Sequence, residues 1–180
     1  MTLESKQALD RFLASVERRA FLIARMATGS ADEALDIVQD AMLQLVQHYG
    51  GRGENEWPPL FHRILQRRIV DWYRRTRVRH RWRHWFVGDE TDDADPLQNL
   101  PDPGATDPPD LAATGRTMVA LEAAVARLPL RQQQAFLLRA WEGLDVKQTA
   151  DAMGCSEGSV KTHYSRAVHS LREQLKDHWE

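Results

Sequence analysis

The sequence has 180 residues, of which 42% are hydrophobic and 28% charged, with a formal net charge of −2. This length allows one domain or two small ones. The single cysteine, Cys155, excludes an intramolecular disulfide framework and a multi-cysteine zinc site. No signal-peptide pattern and no apolar run long enough for a bilayer is present, which predicts a cytoplasmic protein.

Charge divides the chain into three parts. Residues 1–86 carry 15 basic and 10 acidic side chains, residues 87–113 carry 8 acidic and none basic, and residues 114–180 carry 9 basic and 8 acidic. The middle part also has five prolines, a composition that does not build a core. We therefore expect an acidic linker over 87–113 between helical domains at 1–86 and 114–180; composition alone also fits a solvated tether.

The first domain reads as three helices. The first has apolar residues at helical spacing (Leu9, Phe12, Leu13, Val16, Ala20, Ile23). Ser30 and Glu33 form a capping-box pattern that starts a second helix, which runs to about Tyr49. Its expected apolar face is Leu35, Val38, Met42, Leu45, Val46 and Tyr49. No alternating strand pattern occurs in the sequence, so the predicted fold class is all-α.

The solvent side of the second helix has an unusual mixture of residues. Acids and amides surround an exposed leucine there, at Asp32, Asp36, Gln39, Asp40, Leu43 and Gln47. Such a surface is poor for DNA and favours protein binding.

The third helix is expected to begin after Pro58-Pro59 and to end between Thr76 and Trp85. Nine arginines and one acid lie between Arg63 and Arg83. At 100° per residue, Arg63, Arg67, Arg74 and Arg77 fall opposite Phe61 and Trp72. Arginines with exposed aromatic rings suit unpaired bases. The candidate set is Trp57, Arg63, Arg67, Tyr73, Arg74 and Arg77; the alternative is that the aromatics are core, which we favour for Trp72.

The second domain contains the stretch DVKQTADAMGCSEGSVKTHYSRA, residues 145–167. Ala150 and Gly154 have the spacing of a helix-turn-helix, and Ser156 is placed to cap its second helix. Hydroxyls and basic groups at the start of that helix suit a major groove. The candidates are Ser156, Glu157, Ser159, Lys161, Thr162, Ser165 and Arg166. The alternative is a helical hairpin that only packs.

Taken together, these motifs resemble a family. LPLRQQQAFLLRAWEGLDVKQTADAMGCSEGSVKTHYSRAVHSLREQL is similar to region four of the bacterial RNA polymerase sigma factors of the extracytoplasmic-function (ECF) type. ALDIVQDAMLQLV resembles the polymerase-binding helix of region two, and WPPLFHRILQRRIVDWYRR resembles its promoter-melting helix. The order of the three motifs, with an acidic linker before the last, is specific to this family.

The resemblance implies roles for these residues. Asp36, Gln39, Asp40 and Leu43 would dock on the clamp helices of the largest subunit of core polymerase. The loop 50–59 and the third helix would bind the minus-ten element with a flipped base, and the recognition helix would read the minus-thirty-five duplex. The acidic linker would thread toward the active-site cleft and RNA exit channel.

Two positions depart from the family pattern. Arg67 stands where many relatives have asparagine, and its guanidinium accepts no hydrogen bond, so minus-ten contacts inferred from asparagine do not transfer. Pro58-Pro59 is less usual and should stiffen the loop.

The segment before the first helix is too short for the autoinhibitory domain of housekeeping sigma factors, so control is expected from an anti-sigma protein.

No enzyme chemistry is predicted. His80 and His84 have metal-ligand spacing but lie among arginines, and Cys155 is expected to pack rather than react. We expect no catalytic set, no metal and no cofactor. The alternatives to a sigma factor are a conventional helix-turn-helix regulator and a helical polymerase-binding adaptor.

Overall fold

A computed structural model describes residues 3–84 and 113–176, and the side chains of residues 3–76 and 118–176. Within these ranges every regular element is helical and no strand occurs, which confirms the all-α prediction. The chain divides into two compact units, Met1–Ala94 and Asp95–Glu180. The expected linker lies outside the described residues, apart from Ala113.

The part of the N-terminal unit, unit 1, that the structure describes is a bundle of three α-helices. These are α1 (Leu3–Thr28), α2 (Ala31–Tyr49) and α3 (Trp57–His84), with a 3₁₀ turn at Glu54–Glu56 before α3. Each helix packs against the other two. The interior is apolar and includes Leu9, Val16, Ile23, Val38, Leu45, Phe61 and Leu65.

The start of α2 confirms one half of the predicted capping box. The Ser30 hydroxyl accepts the Glu33 backbone N–H at 3.4 Å. The Ser30 N–H donates to the Thr28 hydroxyl at 3.2 Å, while the Glu33 carboxylate accepts the Trp72 indole N–H at 2.7 Å. Glu33 therefore joins α2 to α3 through the half-buried Trp72, which agrees with the packing role expected of that ring.

Trp57 corrects a sequence prediction. Its side chain is 1% exposed, its indole N–H donates to the Tyr49 carbonyl at 3.2 Å, and its ring lies 5.9 Å from that of Phe12. The predicted DNA contact by Trp57 is wrong because the indole fills the space between α1 and the end of α2. The ring therefore anchors the loop between α2 and α3.

The described residues of the C-terminal unit, unit 2, form four α-helices. These are α4 (Ala113–Ala126), α5 (Leu130–Phe136), α6 (Val146–Met153) and α7 (Glu157–Gln174), and α5 continues into a π-helical turn at Leu137–Trp141. One core cluster joins α5, the π-helical turn, α6 and α7: Ala135, Leu138, Ala150, Ala152, Met153 and Val160. This packing fixes α6 and α7 as a rigid pair.

Candidate nucleic-acid and protein interfaces

The predicted turn between α6 and α7 is present. Gly154 has φ 63° and ψ 42°, a left-handed conformation that glycine adopts without a steric penalty. The Cys155 N–H donates to the Ala150 carbonyl at 3.1 Å, which closes the end of α6. Burial is the main influence on the Cys155 thiol and raises its pKa, while the nearby Arg131 opposes this, so the thiol stays protonated and packs as expected.

Hydroxyl groups organise the first turn of α7. The Ser156 hydroxyl accepts the Ser159 N–H at 3.1 Å, and the two hydroxyls lie 2.9 Å apart. The Thr162 hydroxyl donates to the Gly158 carbonyl at 3.1 Å. Each hydroxyl oxygen has two lone pairs, so acceptor capacity is left for an external donor.

The candidate residues of α7 lie together on its solvent side. Ser159 is half-buried, and the other six are exposed: Ser156, Glu157, Lys161, Thr162, Ser165 and Arg166. The opposite side is buried through Val160, Ala167 and Leu171. The helix thus presents hydroxyl and basic groups near its N-terminus, where backbone N–H groups also favour an anion.

Side chains that sequence reasoning did not single out hold α5, α6 and α7 together. An Arg131 guanidinium nitrogen donates to the Met153 carbonyl at 3.0 Å. The Arg139 guanidinium lies 5.9 Å from the centre of the Tyr164 ring, which stacks on Phe136 at 6.3 Å. These contacts join residues more than twenty positions apart, so no periodic signal in the sequence predicts them.

The exposed face of α3 carries the predicted arginines. Arg63, Arg67 and Arg74 are exposed, and Tyr73 is half-buried with its ring 5.7 Å from that of Trp72. The backbone of Arg77 belongs to α3, and its side chain lies outside the described residues. The structure therefore brings at least three of the arginines onto one surface, the α3 arginine stripe (Arg63, Arg67, Arg74).

The inner side of α3 contains buried polar groups. His62 is 5% exposed and Gln66 is 1% exposed. Burial lowers the pKa of His62 to about 4, and the nearby Arg19 guanidinium acts in the same direction. Arg19 thus places α1 beside α3 at His62.

The outer face of α2 is more apolar than the sequence predicted. Asp36, Gln39 and Asp40 are exposed, as expected. Leu35, Leu43 and Val46 are 46%, 55% and 39% exposed. The prediction that Leu35 and Val46 lie on the buried face was wrong. The side chains of α2 that are buried in the bundle are those of Ala34, Ile37, Val38, Ala41 and Leu45. We call Leu35, Leu43 and Val46 the α2 ridge.

Asp40 connects the α2 ridge to α3. Its carboxylate lies 3.8 Å from the Arg68 guanidinium, with 58% of the Asp40 side chain and 36% of the Arg68 side chain exposed. An exposed pair of this kind contributes little to stability. Asp40 is therefore free to exchange this partner for another cation.

Among the described residues, no three His, Cys, Asp or Glu side chains lie together as metal ligands would. The described helices include none with the length and apolar character that crossing a bilayer requires.

Comparison with known proteins supports this geometry. The family "Sigma-70, region 4" matches residues 118–171, which contain α5 to α7 except for the last three residues of α7. Over 173 residues the chain is 28% identical to the ECF RNA polymerase sigma factor SigM of Mycobacterium tuberculosis, covering 94% of this chain and 78% of that protein. The chain is therefore similar to the ECF sigma factors, with a region-four segment in unit 2.

Other relatives extend the match. An RNA polymerase sigma-E factor of Streptomyces avermitilis is 26% identical over 153 residues, covering 85% of this chain and 76% of that protein. The sigma factor RpoE of Bartonella quintana, solved with the anti-sigma factor NepR, matches with a TM-score of 0.64 and 25% identity, covering 93% of this chain and 96% of that one. The sequence match to SigM and the structural match to RpoE therefore each extend over more than nine-tenths of this chain, beyond the region-four segment alone.

Proposed function

We propose that this protein binds core RNA polymerase, directs it to specific promoters and promotes melting of their DNA. The α2 ridge carries the proposal, because a duplex-binding regulator has no need for an exposed apolar ridge flanked by Asp36 and Asp40. The core-binding set is Asp36, Gln39, Asp40 and Leu43, now extended by Leu35 and Val46. Their partner is the clamp helices of the largest subunit.

Promoter recognition is assigned to α7. Its exposed groups reach a major groove: Lys161 and Arg166 carry cations, and Thr162 and Ser165 supply hydroxyls. A good bidentate contact to a base discriminates by about 1–3 kcal/mol. The minus-thirty-five duplex is the proposed target of Ser156, Glu157, Ser159, Lys161, Thr162, Ser165 and Arg166.

DNA melting is assigned to the α3 arginine stripe, together with Tyr73 and Arg77. Binding energy to the unpaired strand drives opening, without nucleotide hydrolysis and without catalytic residues in this chain. Arg67 has no acceptor, so it contacts phosphate or a base acceptor rather than a base donor. Trp57 has no place in this surface because it is buried.

Further proposed partners follow from the family. An anti-sigma protein is expected to control access to these surfaces, as the NepR complex of the Bartonella quintana sigma factor suggests. The place of action is the cytoplasm, where polymerase meets promoter DNA. No cofactor is required.

The deciding experiment is transcription by sigma-free core polymerase on a fragmented genomic library, with and without this protein, followed by mapping of RNA start sites. New starts that share spaced upstream elements are expected. Co-elution with core but no starts would indicate an adaptor. Tight duplex binding by the protein alone, with neither starts nor co-elution, would indicate a conventional regulator.

Two variants test the assignments, each with a matched control. Asp40→Arg should weaken assembly with core, whereas Glu17→Arg, a charge reversal at an exposed position of α1, should not. Unchanged core affinity of Asp40→Arg in gel-filtration competition contradicts the α2 assignment.

The double change Lys161→Ala and Arg166→Ala should reduce initiation only at promoters with a minus-thirty-five element. Its control is the double change Arg172→Ala and Lys176→Ala, which alters exposed cations at and just beyond the far end of α7. Equal losses at promoters lacking the element count against the α7 assignment.

A further inference from the structure

A second row of arginines lies on α1. Arg11, Arg18 and Arg25 follow one another at intervals of seven residues, and all three are exposed. Seven residues are close to two helical turns, so the row drifts by only about 20° per step. With a rise of 1.5 Å per residue, neighbouring members are about 10 Å apart and the row spans about 21 Å. We call it the α1 arginine row.

The row is not neutralised by its surroundings. Among the described residues, none of the three arginines forms an ion pair. At 100° per residue, Asp10 and Glu17 lie about a quarter-turn away, and the acid on the same face, Glu4, precedes Arg11 by a further seven residues. Three cations that face solvent without a counter-charge favour an anionic partner.

The contacts of α1 show where the row faces. Phe12 meets Trp57 and Phe61 at 5.9 and 6.1 Å, and Arg19 lies beside His62, so α1 and α3 run side by side in the same direction. The bundle interior and α2 occupy one side of this pair.

The other side of the pair is basic on both helices. The α1 arginine row lies opposite the buried Ala20 and Ala27, and the α3 arginine stripe lies about 100–140° around α3 from His62. The two sets therefore border the same side of the α1–α3 pair, away from α2.

We propose that the α1 arginine row binds the phosphate backbone of the DNA strand that the α3 arginine stripe engages. The identity of that strand rests on the function proposed above; the binding of phosphate rests on the row itself. A regular series of permanent cations matches a polymer of evenly spaced negative charges. A protein partner fits less well, because three of the exposed large apolar side chains described in this unit lie on α2 (Leu35, Leu43, Val46), and the fourth, Leu3, is the first residue of α1.

The test measures how salt affects DNA binding by the full-length protein. A labelled single-stranded DNA oligonucleotide of mixed sequence is titrated with wild type and R11Q/R18Q/R25Q over a series of KCl concentrations, by fluorescence anisotropy. Each phosphate contact with single-stranded DNA contributes about 0.7 to the slope of the logarithm of the binding constant against the logarithm of the salt concentration. Loss of three contacts should therefore reduce the magnitude of this slope by about 2. A duplex of the same sequence shows whether the row prefers unpaired DNA.

Two controls isolate the position of the charges. R127Q/R172Q/K176Q removes the same net charge from exposed positions in unit 2 and should keep the wild-type slope. R11K/R18K/R25K keeps the three positive charges and should also keep the wild-type slope. Co-elution with core polymerase and far-UV circular dichroism should be unchanged in every variant; if the glutamine triple is unfolded, the three single glutamine variants should each lower the slope by about 0.7.

The outcomes separate the two proposals. In one outcome, the slope is unchanged in R11Q/R18Q/R25Q but reduced in R63Q/R67Q/R74Q. That result overturns phosphate binding by the α1 arginine row and does not contradict the proposed sigma-factor function. Lack of salt-dependent DNA binding by wild type also overturns the row. A reduced slope in the α1 variant, from a protein that yields no new start sites with core, supports phosphate binding and refutes the proposed function.

Discussion

Replacement of Trp57 tests the packing of unit 1 most directly. The ring is almost wholly buried against Phe12, so Trp57→Ala should destabilise unit 1 by about 3–5 kcal/mol. Trp57→Phe keeps an aromatic ring but loses the indole hydrogen bond. The Tyr49 carbonyl still accepts the Arg52 N–H at 2.9 Å, so the lost bond costs only about 0.5–1.5 kcal/mol.

The assay is urea unfolding of the full-length protein, with amide hydrogen exchange of peptides from α1, α2 and α3 as the local readout. The exposed Leu43 provides a control, since Leu43→Ala should fall within about 0.5 kcal/mol of wild type. A loss below about 1 kcal/mol in Trp57→Ala, together with weakened binding to single-stranded DNA, would refute the reasoning. It would mean that the ring is available to bases.

Three further changes test the ends and the interior of the helices. The pKa of His62 is 6.5 in the unfolded chain and about 4 in the folded one. The contribution of neutral His62 to the free energy of unfolding is therefore fully present above pH 6.5, and about 3 kcal/mol of it is lost as the pH falls toward 4. His62→Gln should remove that part of the pH dependence of the urea midpoint, and parallel profiles for the two proteins would contradict this. Gly154→Ala should cost about 1–2 kcal/mol, since its Cβ meets no atom within 4 Å and only the positive φ opposes it; thermal unfolding checks this, and no loss would argue against the left-handed turn. Ser156→Ala should lower the free energy of unfolding by about 1 kcal/mol through loss of the cap of α7, whereas Ser156→Asp should retain most of the stability that the cap provides. Equal melting temperatures for the two variants would count against the cap.

Local signals in the sequence predicted the helix-turn-helix well. A left-handed turn residue at Gly154, a cap at Ser156 and an apolar stripe along α7 are all encoded within a few positions of where they act. The contact between Arg131 and Met153 depends on how α5 meets α6, and neighbouring residues do not reveal it. The exposed residues of α7 could therefore be predicted from the sequence, whereas the contacts between helices that hold α6 and α7 could not.

The helical period was less informative for α2. The helix has apolar residues on both sides, so periodicity alone did not reveal which side is buried. The close approach of three helices selected Ala34 and Ala41 for the interior and left Leu35 and Val46 outside. Trp57 shows the same limitation, because an aromatic residue beside a loop reads equally well as a base contact or as core.

The separation into two units has a consequence for synthesis of the protein. Unit 1 has its own apolar core, built from residues of α1, α2 and α3. Helical bundles with local contacts fold in microseconds to milliseconds, whereas a ribosome adding about 5–20 residues per second needs roughly 4–17 s for the 86 residues 95–180. A nascent chain therefore displays a folded α2 ridge and α3 arginine stripe seconds before α7 has been made.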